Sequence, residues 1–314
     1  RHRGYQVYIY DRYDRIGGLL MYGIPGFKLE KSIVERRGQL LVDGGVHFHL
    51  GVDIGGETSF ADIRAKHDAI LVATGVYKAR DIAAPGSGLD GIVPALEYLT
   101  VSNRKSLGDD VAAFDSGALN AEGKDVVVIG GGDTAMDCVR TAIRQKAKSV
   151  SCLYRRDRAN MPGSQREVQN AEEEGVVFKW LSAPRAFLGD DKVRAVQAQR
   201  IHLGQPDATG RQVPEVIDGS AHELPADMVI KALGFDPEDL PTMFGQDGLE
   251  VSRWGTLKID WRTMMTNLDG VFAAGDIVRG ASLVVWGVRD GRDAAEAIDQ
   301  WIMAAADAPR AAGA

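Results

Sequence analysis

Short apolar runs rich in Val, Ile, Phe and Tyr recur along the chain and alternate with stretches whose apolar residues follow helical spacing. The runs read QVYIYD, VHFHLGV, AILVATG, DVVVIGGG, SVSCLYRR, VVFKWL, MVIKALG and GVFAAGD. Strands that alternate with helices in this way predict an α/β protein with parallel sheets. Most of the runs end at Gly, Asp or Arg, and folds of this kind bind ligands at the carboxyl ends of their strands.

Two stretches interrupt the alternation. Scattered turn residues with weak periodicity run from Pro85 to Glu122, and a comparable stretch lies between Asp236 and Gly248. Since 314 residues exceed the usual size of one domain, these stretches predict boundaries between two α/β domains.

The composition excludes several classes of protein. Hydrophobic residues make up 45% and charged residues 26% of the chain, and no apolar run reaches the roughly 18 residues of a membrane span. The N-terminus is basic and then strand-like, which differs from a secretory signal peptide. A net charge of −7 disfavours nucleic acid as a partner, because that would need a dominant basic face. We expect a soluble, cytoplasmic protein with no membrane or nucleic-acid partner.

Residues that could form a metal or redox centre are sparse. Cys138 and Cys152 fall in a helix pattern and a strand pattern and form no CxxC pair, which predicts two buried apolar side chains. His47 and His49 share one face of a strand, but no third ligand lies nearby in the sequence. We therefore expect neither a metal site nor a dithiol centre.

One strand runs straight into a glycine-rich loop. The sequence KDVVVIGGGDTAMDCV contains Gly130–Ala135, which fits the pattern G-x-G-x-x-A between a strand and a helix. Gly130 permits a tight turn, and Gly132 lets backbone N–H groups approach a pyrophosphate. The N-terminus of a helix predicted over residues 133–146 faces the phosphates with its partial positive charge. The motif predicts dinucleotide binding, the alternative being a plain turn between strand and helix.

The next strand ends at Arg155 and Arg156. An NAD-binding unit usually places Asp or Glu there to accept a hydrogen bond from the ribose 2′-OH, whereas a 2′-phosphate calls for arginine. The two arginines therefore predict NADPH, unless they form a solvated basic turn. A later strand ends in KALGF, whose small residues allow backbone to lie against the cofactor. The predicted NADPH-binding residues are Gly130, Gly132, Asp133, Thr134, Arg155, Arg156, Ala232 and Gly234.

Other strand ends indicate a second nucleotide site. Asp11 ends the strand QVYIYD in the position of a ribose-binding acid, and Gly17–Gly18 follows as a flexible pair where backbone could approach a phosphate. AILVATG and GVFAAGD are buried strands with small residues at their exits, and the second adds the carboxylate of Asp276. Ser282 is predicted to cap a helix that begins at Leu283.

These segments together resemble a known family. The matching segments are IYDRYDRIGGLLMYGIP, ILVATG, VVVIGGGDTAMDC, YRRDRANMPGSQREVQNAEEEGV, KALGF and GVFAAGDIVRGASLVVWGVRDGRDAA. In this order they are similar, over nearly the whole chain, to the small (beta) subunit of bacterial NADPH-dependent glutamate synthase. More broadly, they resemble flavoproteins with two dinucleotide-binding domains, such as the FAD and NADPH region of dihydropyrimidine dehydrogenase.

The resemblance implies two Rossmann-like domains with parallel sheets flanked by helices. Residues 1–92 and 240–314 would form an FAD domain, and residues 93–239 an NADPH domain inserted in it. Asp11 would hold the adenosine ribose, and Asp276 the ribityl chain or diphosphate. The implied FAD-binding residues are Asp11, Gly17, Gly18, Leu19, Val52, Thr74, Gly75, Gly275, Asp276, Val284 and Val285.

The chain departs from this family at its start. Members begin the FAD domain with a strand and a G-x-G-x-x-G loop, and bacterial small subunits carry cysteine-ligated iron–sulfur clusters in a domain before that. Here Arg1–Gly4 leads directly into the strand QVYIYD. We therefore expect an N-terminally truncated chain, with iron–sulfur clusters only in the missing part.

The resemblance implies an NADPH-oxidising flavoprotein oxidoreductase. Hydride would pass from NADPH to FAD without a catalytic side chain. Electrons would continue through iron–sulfur clusters to a large subunit that forms glutamate from glutamine and 2-oxoglutarate. Two alternatives stay open: a related electron transferase that feeds ferredoxin or another catalytic domain, and a truncated nucleotide-binding fragment without activity.

Overall fold

The computed structural model describes residues 1–206 and 212–307, and it confirms an α/β fold with parallel sheets. The strands are β1 (Val7–Asp11), β2 (Val46–Leu50), β3 (Ile70–Val72), β4 (Lys78–Ala79), β5 (Ile92–Pro94), β6 (Asp125–Ile129), β7 (Ser149–Leu153), β8 (Val177–Lys179), β9 (Ser182–Gly189), β10 (Val193–Pro206), β11 (Gln212–Val216), β12 (His222–Pro225), β13 (Met228–Lys231), β14 (Phe235–Asp236) and β15 (Val271–Ala273). The helices are α1 (Leu19–Tyr22), α2 (Lys31–Asp43), α3 (Phe60–Lys66), α4 (Ala95–Ser106), α5 (Ala112–Asp115), α6 (Asp133–Arg144), α7 (Gln165–Glu173), α8 (Leu240–Met243), α9 (Asp276–Arg279) and α10 (Val284–Asp307). None of the helices in the described ranges has the length and apolar character of a membrane span.

The chain divides into two compact units. The first unit comprises Arg1–Asp14, Gly45–Lys78 and Phe235–Ala314, and the second comprises Arg15–Gly44 and Ala79–Gly234. Residues 15–44 and 79–92, assigned above to the FAD domain, therefore cluster with the second unit, and residues 235–239 cluster with the first. Residues 308–314 of the predicted FAD domain lie outside the described part. Which nucleotide each domain binds stays a prediction.

The second unit is built around a five-stranded parallel sheet in the order β5-β13-β6-β7-β8. On one face, Val126 and Val128 of β6 pack with Met136 of α6 in a buried cluster that also includes residues of α4. On the other face, Val127 packs with Val196 of an antiparallel sheet formed by β9 to β12. Because both faces are covered, β6 is a continuous apolar run rather than an alternating one. The sequence analysis predicts the flanking helices and misses the antiparallel layer.

The parallel strands of the first unit form two separate two-stranded sheets. β1 pairs with β2 along its whole length, and β3 pairs with β15. In the core beside β3 and β15, the rings of Phe60 and Phe244 stack with centroids 4.4 Å apart, and Ile277 is buried in the same cluster. Phe272 of β15 packs in a second cluster with Ala294 of α10. This packing fixes α10 against the strand that precedes α9.

Candidate nucleotide-binding sites

The glycine loop after β6 is held tightly by its neighbours. Gly130 has a φ of +151°, and a Cβ atom there would lie 2.2 Å from the carbonyl oxygen of Ala232. A Cβ atom on Gly131 would lie 2.3 Å from the ring of Tyr154. At Gly130 the clash is with backbone, so the turn requires glycine there, whereas the clash at Gly131 is with a side-chain ring. The structure thus brings the predicted residues Gly130 and Ala232 together.

Gly132 differs from the two glycines before it. A Cβ atom on Gly132 would meet no heavy atom within 4 Å, so open space lies beside this backbone. Gly132 is the N-cap of α6, and no side chain caps the helix there. The first N–H groups of a helix have no partner inside the helix, so they are available to a phosphate in that space. The fit to a pyrophosphate is therefore good at this position.

Helix α6 begins at Asp133, as predicted, and ends at Arg144, two residues before the predicted end. Lys146 follows with a φ of +63°, which is not helical. The carboxylate of Asp133 accepts a hydrogen bond from the backbone N–H of Ser164 at 3.0 Å. This contact, with one from the Gly163 N–H to the Gly131 carbonyl at 2.9 Å, fixes the loop before α7 against the glycine loop.

The two predicted 2′-phosphate ligands differ in their surroundings. Arg155 is exposed after the end of β7. Arg156 is half-buried, and its Nε atom is buried without a hydrogen-bond partner among the described residues. A buried guanidinium donor without a partner suits an anionic acceptor, since an unmatched buried donor is unfavourable.

Two predicted residues follow β13, the sheet neighbour of β6. The N–H of Ala232 donates to the Ile129 carbonyl at 2.8 Å, which continues the ladder past the end of both strands. Gly234 has a φ of +90° and accepts a hydrogen bond from the N–H of Arg80 at 3.0 Å. Since β6 connects through α6 to β7 on one side and has β13 on the other, the strand order reverses here. In open α/β sheets, ligands bind in the crevice at such a reversal.

Sequence reasoning missed Tyr154 and Gly163 as parts of this loop. Tyr154 closes one side of Gly131, and Gly163 lies close to the backbone of Gly131 and Gly132. A signal for Gly163 was present in the Pro162-Gly163-Ser164 turn just before α7. No local pattern marks Tyr154, because its contact with Gly131 depends on the pairing of β6 with β7.

In the first unit, the predicted ribose ligand Asp11 ends β1 as expected. Its carboxylate accepts a hydrogen bond from the N–H of Tyr13 at 3.0 Å, and its carbonyl accepts one from the N–H of Val52 at 2.9 Å. The structure thus brings Asp11 and Val52 together at the carboxyl ends of β1 and β2. These contacts use one carboxylate oxygen of Asp11, and a ribose hydroxyl would bind to the other.

The other predicted FAD residues of the first unit follow β3 and β15. Because these strands pair in parallel, Thr74 and Gly75 emerge beside Gly275 and Asp276. The Thr74 hydroxyl is buried without a hydrogen-bond partner among the described residues. Gly275 has a φ of +77°, and a Cβ atom there would meet nothing within 4 Å. An unpaired buried hydroxyl next to open backbone fits a polar ligand.

Asp276 and the start of α10 complete this group. Burial raises the pKa of Asp276, and the backbone N–H of Ser282 near its carboxylate opposes the rise. The helix begins at Val284, and the Leu283 carbonyl accepts from the N–H of Trp286. The predicted helix start at Leu283 is therefore wrong by one residue, and a capping role of the Ser282 side chain stays a prediction. The exposed apolar residues at this end are Leu283, Val284, Val285, Trp286 and Val288.

Gly17, Gly18 and Leu19 belong to the second unit. Gly17 has a φ of +124°, and a Cβ atom there would lie 2.6 Å from Cγ1 of Val34. Gly18, with a φ of +51°, precedes the short helix α1. The loop is anchored within the second unit by Arg15, which forms an ion pair with Asp109 at 2.6 Å. A role for these three residues in binding FAD stays a prediction.

The described residues of the first unit fit FAD at its ribose and flavin ends. The fit rests on the carboxylate of Asp11, the unpaired hydroxyl of Thr74, the open backbone at Gly275 and the apolar surface at Val284 and Val285. Residues 1–6, which precede β1, contain no glycine loop for the diphosphate.

Both cysteines are packed in the hydrophobic core, and the histidines of β2 lie against aromatic rings. Cys138 and Cys152 are both buried, as predicted, and burial raises the pKa of the Cys152 thiol to about 12. A buried thiol with a raised pKa is a poor nucleophile. His47 and His49 are stacked on Tyr8 and Tyr10. Across the described ranges, no group of three or more His, Cys, Asp or Glu side chains is arranged to hold a metal ion.

Comparison with known proteins agrees with this geometry. Residues 50–308 match the family described as pyridine nucleotide-disulphide oxidoreductase. The chain is 67% identical to the glutamate synthase [NADPH] small chain of Azospirillum brasilense, a match that covers 100% of this chain and 65% of that relative. It is 41% identical to the putative oxidoreductase AegA of Escherichia coli, over 95% of this chain and 46% of AegA.

A solved structure, FprA of Mycobacterium tuberculosis in complex with NADPH, superposes with a TM-score of 0.78. The match covers 96% of this chain and 79% of FprA, at 19% identity, so it shows the shared fold alone. The family match covers most of the chain, and the resemblance to glutamate synthase small chains carried by the sequence motifs is confirmed. The chain belongs to the pyridine nucleotide-disulphide oxidoreductase family.

Proposed function

We propose that this chain is the electron-input part of an NADPH-dependent glutamate synthase, an oxidoreductase that takes electrons from NADPH into a flavin. The observation that carries the proposal is the loop after β6. Gly130 is locked against Ala232, Gly132 is open beside the N-terminus of α6, and two arginines follow the next strand. This combination supports a pyrophosphate at α6 and a 2′-phosphate at Arg155 and Arg156.

The first unit would hold FAD through the residues that fit it. Asp11 would bind the adenosine ribose, and Thr74 and Asp276 would hydrogen-bond to polar groups of the cofactor. The apolar surface at Val284 and Val285 would pack on the flavin ring and exclude water from it. FAD, where bound, supplies the acceptor for the hydride of NADPH, which is chemistry that no side chain of this chain provides.

The partners are proposed from the relatives. The match to glutamate synthase small chains favours onward transfer through iron–sulfur clusters to a large subunit that makes glutamate from glutamine and 2-oxoglutarate. A cytoplasmic location belongs to the same proposal. A second candidate is a related electron transferase with another acceptor, which the similarity to the oxidoreductase AegA favours. Activity assays with the large subunit and with ferredoxin as alternative acceptors separate these two.

The absorption spectrum of the purified chain, with FAD added and the excess removed, tests the flavoprotein proposal. We expect a flavin absorption band that disappears on anaerobic titration with NADPH and persists with an equal amount of NADH. A colourless protein that still binds NADPH would contradict the proposal and favour the third reading, a nucleotide-binding fragment without activity.

A further inference from the structure

Asp290 is a buried carboxylate on α10 that no candidate site described above uses. Only 1% of its surface is exposed. It forms a two-pronged ion pair with Arg279, in which Nε donates to Oδ2 at 2.6 Å and Nη2 donates to Oδ1 at 2.7 Å. Paired, planar contacts of this kind fix the angle as well as the distance between the two groups. The pair therefore ties α10 to the last residue of α9.

The same carboxylate also reaches the start of α9. The Arg279 guanidinium, and to a lesser extent the backbone N–H of Gly275 at the N-cap of α9, lowers the pKa of Asp290. Asp290 thus lies near the residue before α9 and is paired with the residue at its end. Asp276, the predicted ligand of the ribityl chain or diphosphate, is the first residue of the helix between them.

Helix α9 needs such a restraint because it is only four residues long. A single helical turn does not repay the entropy of ordering its backbone, so its conformation depends on contacts outside the helix. The aromatic rings of Trp261 and Trp286 add to the restraint, since the Arg279 guanidinium lies 4.8 and 5.2 Å from their centroids. Arg279 is therefore held by an ion pair and by two rings at once.

We propose that Asp290 is a positioning residue for the flavin nucleotide: by pairing with Arg279 beside Gly275, it fixes the backbone of α9 so that Asp276 faces the ligand. The inference rests on the proposed FAD site of the first unit. It adds a role for an ion pair that does not itself touch the cofactor. The Asp290 carboxylate is buried while 31% of the Arg279 side chain is exposed. Because desolvation of the buried carboxylate offsets the attraction, the pair is better explained by the geometry that it imposes than by stability.

The test compares three variants of the whole chain. Asp290→Asn keeps the shape of the side chain and removes its charge, and Arg279→Lys keeps the charge and removes the two-pronged geometry. Asp293→Asn is the matched control, since Asp293 forms an exposed ion pair with Arg289 on the same helix, at 3.7 Å. FAD affinity and NADPH affinity are measured for each by titration, together with the visible circular dichroism of bound flavin.

We expect Asp290→Asn and Arg279→Lys to weaken FAD binding by roughly tenfold or more, equivalent to about 1.4 kcal/mol. NADPH affinity is expected to stay at the wild-type value, and Asp293→Asn is expected to match wild type in both titrations. The flavin circular dichroism should change in the first two variants, because the residues around the flavin ring would be placed differently. Equal FAD affinity and an unchanged spectrum in Asp290→Asn would overturn the proposal.

Hydrogen exchange without FAD separates this inference from the proposed function. The N–H groups of Val278, Arg279 and Gly280 are hydrogen-bonded across α9, so loss of the restraint should speed their exchange in Asp290→Asn and leave it unchanged in Asp293→Asn. If the wild-type chain binds no FAD but exchange responds in this way, the flavoprotein proposal fails and the restraint on α9 stands. If FAD binds and exchange at α9 is the same in all variants, the restraint is wrong and the flavoprotein proposal stands.

Discussion

The two candidate sites are made from the same kind of strand end on very different scaffolds. In the second unit, β6 lies inside a five-stranded sheet with both faces covered, and Gly130 is packed against Ala232. In the first unit, β1 and β3 lie in separate two-stranded sheets. There the nearby helix α10 begins with exposed apolar residues such as Val285.

The difference teaches how each site is given its shape. The loop of the second unit is set by backbone packing, so its geometry exists before a ligand arrives. The short helix α9 of the first unit is held by side chains, chiefly Asp290 and Arg279. We therefore expect a substitution at a backbone-packed glycine to lower the free energy of unfolding most in the second unit. In the first unit, the loss of one polar atom should mainly lower ligand affinity.

The largest effect is expected from Gly130→Ala. The added Cβ atom would lie 2.2 Å from the Ala232 carbonyl oxygen, and the φ of +151° is unfavourable for alanine. We expect a loss of about 2–4 kcal/mol in the free energy of unfolding, together with loss of NADPH binding. Chemical denaturation and NADPH titration measure the two quantities.

Gly132→Ala is the matched control for Gly130→Ala. Its Cβ atom would enter open space, so the variant should keep nearly wild-type stability and lose NADPH affinity alone. Equal stability of the two variants would show that packing does not set this loop, and the contrast between the units would fail.

The next effect concerns the choice of nucleotide. Replacing both Arg155 and Arg156 with alanine should lower the preference for NADPH over NADH by about 10- to 100-fold, because the 2′-phosphate loses its charged partners. Arg158→Ala serves as the control, since Arg158 lies in the same loop and is paired with Glu172 at 2.8 Å. The ratio of the two dissociation constants is the measurement, and an unchanged ratio in the double variant would contradict the assignment of the 2′-phosphate.

Local sequence was sufficient to predict the loop after β6. Strand, glycines and helix follow one another within about twenty residues there, and Gly130 and Gly132 lie between the predicted strand and the predicted helix. Features that join distant segments escaped prediction. The contact of Tyr154 with Gly131 depends on strand pairing. The antiparallel layer of β9 to β12 covers the five-stranded sheet, whose strands β5 to β8 precede this layer in the sequence and whose strand β13 follows it.

The first unit shows the same division. Asp11 ends β1 and Asp276 follows β15, which are the positions that the sequence pattern predicts for them. Asp290 was not found, because a single Asp in a helical stretch is usually solvent-exposed, and its burial arises only when α9 folds back against α10. The loop with Gly17 and Gly18 was assigned to the FAD domain, and its clustering with the second unit depends on long-range contacts such as that of Arg15 with Asp109.

Acid should destabilise the second unit through Glu174. Arg144, and then Arg140, lowers the pKa of Glu174 to about 2 from its ordinary value of 4.5. A carboxyl whose pKa is lowered on folding stabilises the fold above its unfolded pKa, and this contribution is lost as the pH falls from about 4.5 towards 2. We expect Glu174→Gln to lose about 1–2 kcal/mol at pH 7 and to show less acid sensitivity in that range. Thermal melts against pH measure this, with the exposed neighbour Glu173→Gln as control; identical pH profiles for Glu174→Gln and wild type would contradict it.

The smallest effect is expected from the loss of one hydroxyl in the first unit, which should lower FAD affinity without lowering stability. Thr74→Val removes a buried hydroxyl without a partner, so the free energy of unfolding should stay the same or rise slightly. If that hydroxyl binds FAD, affinity for FAD should fall by about 0.5–1.5 kcal/mol, which is roughly 2- to 12-fold. Thr141 on α6 offers a matched control, because its hydroxyl is also buried and unpaired but belongs to neither candidate site. Thr141→Val should show the same stability response with no change in FAD affinity, and an equal loss of FAD affinity in both variants would mean that Thr74 acts through the fold rather than through the ligand.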